Sequence, residues 1–119
     1  MHELGVVFHM IDTLKEIADS NQVEQISKVT VELGEVSTVI PSYLTSCWNW
    51  AVKKEPLLVG AELAIEPIEA INYCEDCRLE YRAMDHGKIC PRCGSEKTYL
   101  LQGNEFMIKE IEVPEDENE

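Results

Sequence analysis

Four cysteines form two Cys-x-x-Cys pairs, and this spacing carries the clearest chemistry in the chain. The first pair is Cys74 and Cys77, the second is Cys90 and Cys93, and 12 residues separate the pairs. Each pair places two thiols on a tight turn, and the segment between them is long enough for a hairpin that returns the second pair to the first. Four thiolates can then surround one ion tetrahedrally, as in a closed structural zinc site. Closed coordination leaves no open position for catalysis.

The same spacing is compatible with two other functions. Cys-Pro-x-Cys-Gly turns also hold single iron ions in rubredoxin-like carriers, so one-electron transfer is one alternative. Colour separates the metals, because an iron tetrathiolate is red and zinc is colourless. The other alternative is a zinc-ribbon module for protein interaction or nucleic-acid binding. Five of the ten basic residues lie near the cysteines, either offsetting the thiolate charge or exposed on a loop: Arg78, Arg82, Lys88, Arg92 and Lys97.

The first three residues, Met1, His2 and Glu3, form a second candidate metal site. The Met1 α-amine, the amide nitrogen between Met1 and His2, and the His2 imidazole can form fused chelate rings around one ion. Nitrogen-rich sites with square-planar geometry favour nickel(II) or copper(II), and the Glu3 amide or a distant side chain would complete the set. Because initiator methionine is normally removed only before small residues, we expect Met1 to remain. Taken alone this signal is weak, because a histidine at this position is more often an exposed residue at a frayed terminus.

Composition and charge exclude several classes of function. The 119 residues are one domain's length, and a formal net charge of -13 repels a phosphate backbone, which argues against nucleic-acid binding. The N-terminus lacks a basic signal region, and no apolar run approaches the roughly 18 residues of a membrane span, so we expect a cytoplasmic protein. With no nucleophile and base or open metal site to name, we do not expect an enzyme. Cys47, the fifth cysteine, is expected to pack as a small apolar side chain.

Two helices and three strands are predicted to position these residues. An amphipathic pattern predicts a helix over 4–18, and a second helix begins at Pro41. Alternating polarity predicts strands over 26–33 and 61–67, and a third over 106–113 whose apolar residues change parity, which predicts a shifted register or a bulge. The apolar stripe of the first helix consists of Leu4, Val7, Phe8, Ile11, Leu14 and Ala18.

Residues 71–101 differ from the rest of the chain. They contain all four paired cysteines together with Gly, Pro and short aromatic pieces, and they lack regular periodicity. We therefore predict an inserted mini-domain over 71–101 that depends on its metal for folding. The acidic tail, residues 115–119, is expected to be disordered and solvated.

In combination, these features resemble the HypA/HybF family of nickel metallochaperones. The segment Met1–Glu3 opens a helix, Gly34 closes the first strand, two Cys-x-x-Cys pairs follow 12 residues apart, and Gly103–Glu105 leads into the last strand. The likeness spans essentially the whole chain. Zinc ribbons and Met-His starts are each common, so the specificity lies in their occurrence together with this order of helices and strands.

The resemblance implies a fold, a cargo and partners. The fold would be α+β, with a small mixed three-stranded sheet and two helices in a nickel-binding domain formed by 1–70 and 102–114, plus the zinc-ribbon-like mini-domain over 71–101. The protein would deliver nickel to the hydrogenase large subunit precursor during [NiFe]-hydrogenase maturation, and in some members toward urease, together with a nickel-handling GTPase. It would have no catalytic residues. The oligomeric state stays open, with a homodimer among the arrangements that fit.

The resemblance also implies residue roles. His2 and the Met1 amine would bind nickel, Glu3 would assist through its amide or contact the GTPase, and the four cysteines would hold structural zinc. Some relatives carry a histidine directly after a Cys-x-x-Cys pair, where it tunes the zinc site with pH. Arg78 and Gly94 occupy those positions here. We therefore do not expect acid to rearrange the zinc site by that route.

Overall fold

The computed structural model describes residues 3–114, and the predictions made for Met1, His2 and the tail 115–119 lie outside them. Within these residues the helices are α1 (Glu3–Asn21), α2 (Pro41–Ala51) and α3 (Ala83–His86), and one turn of 3-10 helix follows α2 at Val52–Lys54. The strands are β1 (Lys28–Gly34), β2 (Glu62–Ile68), β3 (Ile71–Cys74), β4 (Glu80–Arg82), β5 (Thr98–Gln102) and β6 (Phe106–Glu112). Of the helices in this part of the chain, none combines the length and apolar character that crossing a bilayer requires.

The first sheet has the strand order β2-β1-β6, which makes β1 the central strand. At one end of β1 the Ser27 N–H donates to the Glu112 carbonyl at 2.8 Å, and at the other end the Gly34 N–H donates to the Glu105 carbonyl at 2.8 Å. The start of β1 therefore lies beside the end of β6, and the two strands run antiparallel.

Strand β2 runs parallel to β1. The Glu62 N–H donates to the Ser27 carbonyl at 3.0 Å where both strands begin, and the Glu35 N–H donates to the Ile68 carbonyl at 2.9 Å where both end. Parallel neighbours need a crossover connection, which α2 provides. The predicted α+β fold with a mixed three-stranded sheet and two helices is confirmed.

Helix α1 buries a slightly different face from the predicted stripe. Met10 joins the buried residues at 2% exposure, while Leu4 and Phe8 remain 39% and 46% exposed. The buried positions still follow the helical period, but the stripe is rotated toward Glu3 and Met10. The largest buried side chains contributed by α1, α2 and β1 are Val7, Met10, Leu14, Val29, Val31, Leu44 and Trp48.

Strand β1 is more buried than its alternating sequence predicts. Thr30, expected on an exposed face, is 3% exposed, and it lies between the buried Val29 and Val31, so both faces of β1 are covered here. In β6 the partly buried positions are Phe106, Ile108 and Ile111, so the change of parity seen in the sequence is also present in the burial pattern.

The cysteine-containing segment forms a second three-stranded sheet with the order β4-β3-β5. Strand β3 pairs antiparallel with both neighbours, and Asn72 lies opposite Tyr81 on one side and Leu100 on the other. A register irregularity between Ile71 and Asn72 interrupts the pairing with β5. The hairpin predicted between the cysteine pairs is therefore wrong: that segment contains one strand, β4, followed directly by α3. The hairpin of this sheet is formed by β3 and β4, and its turn contains the first cysteine pair.

Two glycines allow close backbone packing at the end of β1. A Cβ atom on Gly34 would lie 1.9 Å from the carbonyl oxygen of Gly103. Gly103 has a φ of 122°, and a Cβ there would lie 2.5 Å from the Cα of Ala70. Only residues without a Cβ fit both positions.

The contacts divide the chain into two compact units. The first contains the chain up to Val31, Val39–Ile65 and the residues from Ile108 onward, and the second contains Glu32–Thr38 and Glu66–Met107. The division falls within β1, β2 and β6, so each of these strands contributes to both units. The second unit includes the whole of 71–101 together with flanking residues, while the narrower mini-domain limits stay a prediction.

Candidate metal centre

The two cysteine pairs occupy turns with the same backbone pattern. In the first turn the Arg78 N–H donates to the Cys74 carbonyl at 2.8 Å, and in the second the Gly94 N–H donates to the Cys90 carbonyl at 2.9 Å. Arg78 and Gly94 both take left-handed backbone conformations, with φ values of 64° and 74°. This conformation reverses the chain directly after each pair, so that both sulfurs of the pair face the same side of the turn.

The two turns bring four sulfurs together. All four Sγ atoms lie within 4.8 Å of one another, and the Cys74–Cys93 and Cys77–Cys90 pairs are each separated by 3.5 Å. A tetrahedral zinc ion with Zn–S bonds of about 2.3 Å requires sulfurs about 3.8 Å apart, so the arrangement fits such an ion. Among residues 3–114, these cysteines are the one group of His, Cys, Asp or Glu side chains placed to hold a metal.

The apolar core of this segment is small and consists mostly of the cysteines themselves. The buried cluster consists of Cys74, Tyr81 and Cys90, with Cys77 and Leu79 packed against it. Three of these five side chains are candidate ligands. An ion bonded to them would supply the stabilisation that a larger core supplies elsewhere.

The pKa values of the thiols also indicate that a cation is needed for all four to ionise. Burial raises the pKa of Cys77, but hydrogen bonds from the Leu79 backbone and from neighbouring side chains lower it to about 6. At Cys93 the Ser95 backbone lowers the pKa, while burial and the other three sulfurs raise it to about 12. Four sulfurs at this distance do not all ionise together unless a positive charge lies between them.

Side-chain hydrogen bonds link the two cysteine turns. The Arg92 guanidinium in the second turn donates from Nη2 to the Cys77 carbonyl at 2.7 Å. The Ser95 hydroxyl donates to the Asp76 carboxylate in the first turn and accepts from the Lys97 N–H at 3.0 Å. These bonds fix the relative position of the two pairs, and they lie outside any metal coordination.

The basic residues near the cysteines do not all interact with the sulfurs. Arg92 interacts with Cys77, and this interaction raises the pKa of the guanidinium. Arg82, by contrast, forms ion pairs with Glu69 at 2.8 Å and Asp85 at 3.2 Å. The predicted compensation of thiolate charge is therefore most direct at Arg92.

The third residue of the candidate nickel site has a defined position. Glu3 begins α1, is 6% exposed, and accepts a hydrogen bond at Oε2 from the Ile40 N–H at 3.0 Å. Sequence reasoning missed this contact. A signal existed at the partner. Ile40 is the N-cap of α2, and Tyr43 at the third helical position cannot accept its N–H as a Glu or Gln of a capping box would, so an acceptor from another element could have been anticipated.

The chain is similar to one family of known proteins. The family model described as hydrogenase/urease nickel incorporation, metallochaperone, hypA matches residues 1–113. The hydrogenase maturation factor HypA of Chlorobium phaeobacteroides is 32% identical over 113 residues, which are 95% of this chain and 99% of that protein. HybF of Klebsiella pneumoniae is 31% identical over 112 residues, 94% and 98% of the two chains. The solution structure of the Ni metallochaperone HypA from Helicobacter pylori matches with a TM-score of 0.69 and 30% identity, covering 95% of this chain and 97% of that one.

Proposed function

The chain belongs to the HypA family of nickel metallochaperones for hydrogenase maturation, and on this premise we propose that it binds nickel(II) at its N-terminus and delivers the ion to the precursor of a [NiFe]-hydrogenase large subunit. The observation that carries the proposal is the family match over residues 1–113, which includes both the N-terminus and the four cysteines. Urease is a second candidate recipient, because the family description names both enzymes. The protein acts as a carrier and contributes no catalytic group.

The proposed nickel ligands are nitrogen atoms of the first three residues. The Met1 amine, the amide between Met1 and His2, and the His2 imidazole form fused rings that suit square-planar nickel(II). The Glu3 amide completes the set. Because α1 begins at Glu3, that amide lies outside the intrahelical hydrogen-bond ladder, so its coordination would not remove a helix bond. A site at the chain end allows the ion to leave by stepwise ligand exchange to a partner's thiolates.

The four cysteines have the other role in this proposal, that of a permanent scaffold. Cys74, Cys77, Cys90 and Cys93 hold one zinc ion in closed coordination, which stabilises the mini-domain over 71–101 and is not transferred. The cargo ion is carried by the domain formed by 1–70 and 102–114. Closed thiolate coordination favours retention of the ion, and nitrogen ligands at a chain end favour its exchange, so each proposed site suits its task.

The proposed partners are those of the maturation pathway. A nickel-handling GTPase would exchange nickel with the N-terminus, and the hydrogenase precursor would receive it, both in the cytoplasm. The formal net charge of -13 supports binding to basic partner surfaces, because opposite charges steer association.

Nickel titration of protein with its native N-terminus tests the proposed site. Calorimetry or a chromogenic competition assay would compare the wild type with His2→Ala and with a form extended by two residues before Met1. We expect either change to weaken nickel binding about tenfold or more, since each removes a nitrogen ligand. His9→Ala is the matched control, because His9 is an exposed histidine on α1.

Two outcomes would count against the proposed function. Unchanged stoichiometry and affinity in both the His2→Ala and the extended forms would exclude the N-terminal site. Equal losses in His2→Ala and His9→Ala would point to nonspecific histidine binding. Zinc content should stay the same in every form, which shows that the cysteine centre is intact.

A further inference from the structure

The Glu3 carboxylate joins the start of α1 to the start of α2. Glu3 directly follows His2 in the chain, and its side chain is 6% exposed. Its Oε2 accepts the Ile40 N–H at 3.0 Å. A buried carboxylate is costly unless hydrogen bonds compensate for its lost hydration, so this contact fixes where the side chain can lie.

Helix α2 lacks a capping group of its own. Ile40 is its N-cap residue, no side-chain cap is present there, and Pro41 in the first turn has no N–H to donate. The acceptor at this end comes from Glu3, 37 residues away in the chain. A carboxylate at the positive end of a helix dipole is also electrostatically favourable.

A second contact holds α1 beside α2 at the other end. The Lys15 ammonium lies 2.8 Å from the Glu55 carboxylate, just after the 3-10 turn that follows α2. With Glu3 at Ile40 and Lys15 at Glu55, the two helices run side by side in the same direction. The backbone of residue 3 therefore has a defined position relative to α2.

We propose that the Glu3 carboxylate is a positioning group that fixes residue 3 of the proposed nickel site against the start of α2, and that the carboxylate is not itself a nickel ligand. The inference rests on the proposed nickel site at Met1 and His2. Chelation by several backbone nitrogens requires residues 1–3 to take one conformation. If residue 3 is already held in place before nickel binds, less conformational entropy is lost on binding. The nickel affinity is then higher without an additional ligand.

A crossed pair of substitutions separates positioning from coordination. Glu3→Gln keeps the length of the side chain and an oxygen that can accept from Ile40, but it removes the anionic ligand. Glu3→Asp keeps the carboxylate but shortens the side chain by about 1.5 Å, so the contact with Ile40 is lost. Glu16→Gln is the matched control, because it removes one exposed carboxylate elsewhere on α1.

The expected results follow from the contact with Ile40. In Glu3→Asp, hydrogen exchange at the Ile40 amide should accelerate about tenfold or more, and the nickel dissociation constant should rise about three- to tenfold. In Glu3→Gln, both quantities should stay within about threefold of the wild type, since an acceptor remains. Glu16→Gln should change neither quantity. The exchange is measured by NMR, and the affinity by competition with a chelator.

Three results would overturn the inference while leaving the proposed function in place. Loss of nickel affinity in Glu3→Gln but not in Glu3→Asp would make the carboxylate a ligand. Faster Ile40 exchange in Glu3→Asp with unchanged nickel affinity would make Glu3 merely structural. Unchanged Ile40 exchange in Glu3→Asp would remove the contact on which the inference depends. Wild-type protein that binds no nickel would overturn the proposed function, and the positioning role with it; the preceding results overturn the positioning role alone.

Discussion

Arg78 takes the same left-handed backbone conformation as Gly94, one residue after the second cysteine of its pair. Glycine adopts this conformation without steric cost, whereas a residue with a Cβ meets the following carbonyl oxygen. The first cysteine turn therefore holds a strained backbone that the second turn avoids. The N–H of each residue donates to the first cysteine of its pair, so the conformation is tied to the geometry of the site.

Relieving this strain should stabilise the metal-loaded protein. We expect Arg78→Gly to raise the free energy of unfolding by about 0.5 kcal/mol, because the gain of about 1 kcal/mol from the left-handed conformation is partly offset by the greater freedom of glycine in the unfolded chain. Arg78→Asn should act similarly, since asparagine tolerates this conformation. Gly94→Arg should have the opposite sign. Urea unfolding with excess zinc measures all three, and destabilisation by both Arg78 substitutions would contradict the prediction.

Adding a methyl group at Gly34 should be strongly destabilising. Its Cβ would lie 1.9 Å from the Gly103 carbonyl oxygen, and backbone atoms cannot move aside as a flexible side chain can. We expect Gly34→Ala to lower the free energy of unfolding by about 2–3 kcal/mol. Gly60→Ala is the control, because Gly60 has a φ of 77° but a Cβ there would meet no atom within 4 Å. This variant tests backbone strain alone, and we expect it to lower the free energy of unfolding by about 1 kcal/mol. Equal losses in the two variants would contradict the clash.

Removing one sulfur should disorder the small sheet. In Cys74→Ser we expect loss of the bound zinc and of the dispersed NMR signals of β3, β4 and β5, since their core consists largely of the cysteines themselves. Signals of α1 and α2 should persist, because that core contains larger side chains such as Trp48 and Leu44. Cys47→Ser, which removes the cysteine outside the cluster, should retain zinc. A full set of dispersed β3–β5 signals in metal-free Cys74→Ser would show that the sheet does not depend on the ion.

Zinc affinity should increase with pH. Without an ion the pKa of Cys93 is raised to about 12 and that of Cys77 is lowered to about 6. At neutral pH zinc must therefore displace the Cys93 proton, whereas Cys77 is already ionised. The apparent association constant should rise at least about tenfold per pH unit between about pH 7 and 9, and more steeply below about pH 6, where Cys77 also binds a proton. Chelator competition measures this slope, and a flat profile would contradict proton displacement.

Local sequence patterns predicted much of the fold because they report which side of an element is buried. The helical period predicted α1 and α2, and alternation predicted β1, β2 and β6. The cysteine spacing predicted which four sulfurs would meet, since each Cys-x-x-Cys pair specifies its own turn. These features depend on residues close together in the chain.

Other features depend on residues far apart or on conformations without a local signal. The contact between Glu3 and Ile40 joins positions 37 residues apart and has no periodicity. The rotation of the α1 stripe follows from packing, which the apolar character of Leu4 and Phe8 does not determine. Arg78 occupies a position where glycine would have indicated the left-handed turn. In each case tertiary structure selects a conformation that local preference leaves open.

The sulfurs of the metal centre differ in their access to solvent: Cys74 and Cys90 are buried, Cys77 is intermediate, and Cys93 is exposed. With the proposed zinc ion bound, all four would be thiolates, and solvent access would determine which one an external reagent reaches first. Oxidation of a thiolate to sulfenic acid by a peroxide would therefore begin at Cys93. The lifetime of the zinc site in the presence of an oxidant would thus depend on the exposure of Cys93. The burial of Cys74 and Cys90 would determine only how slowly the remaining Zn–S bonds break.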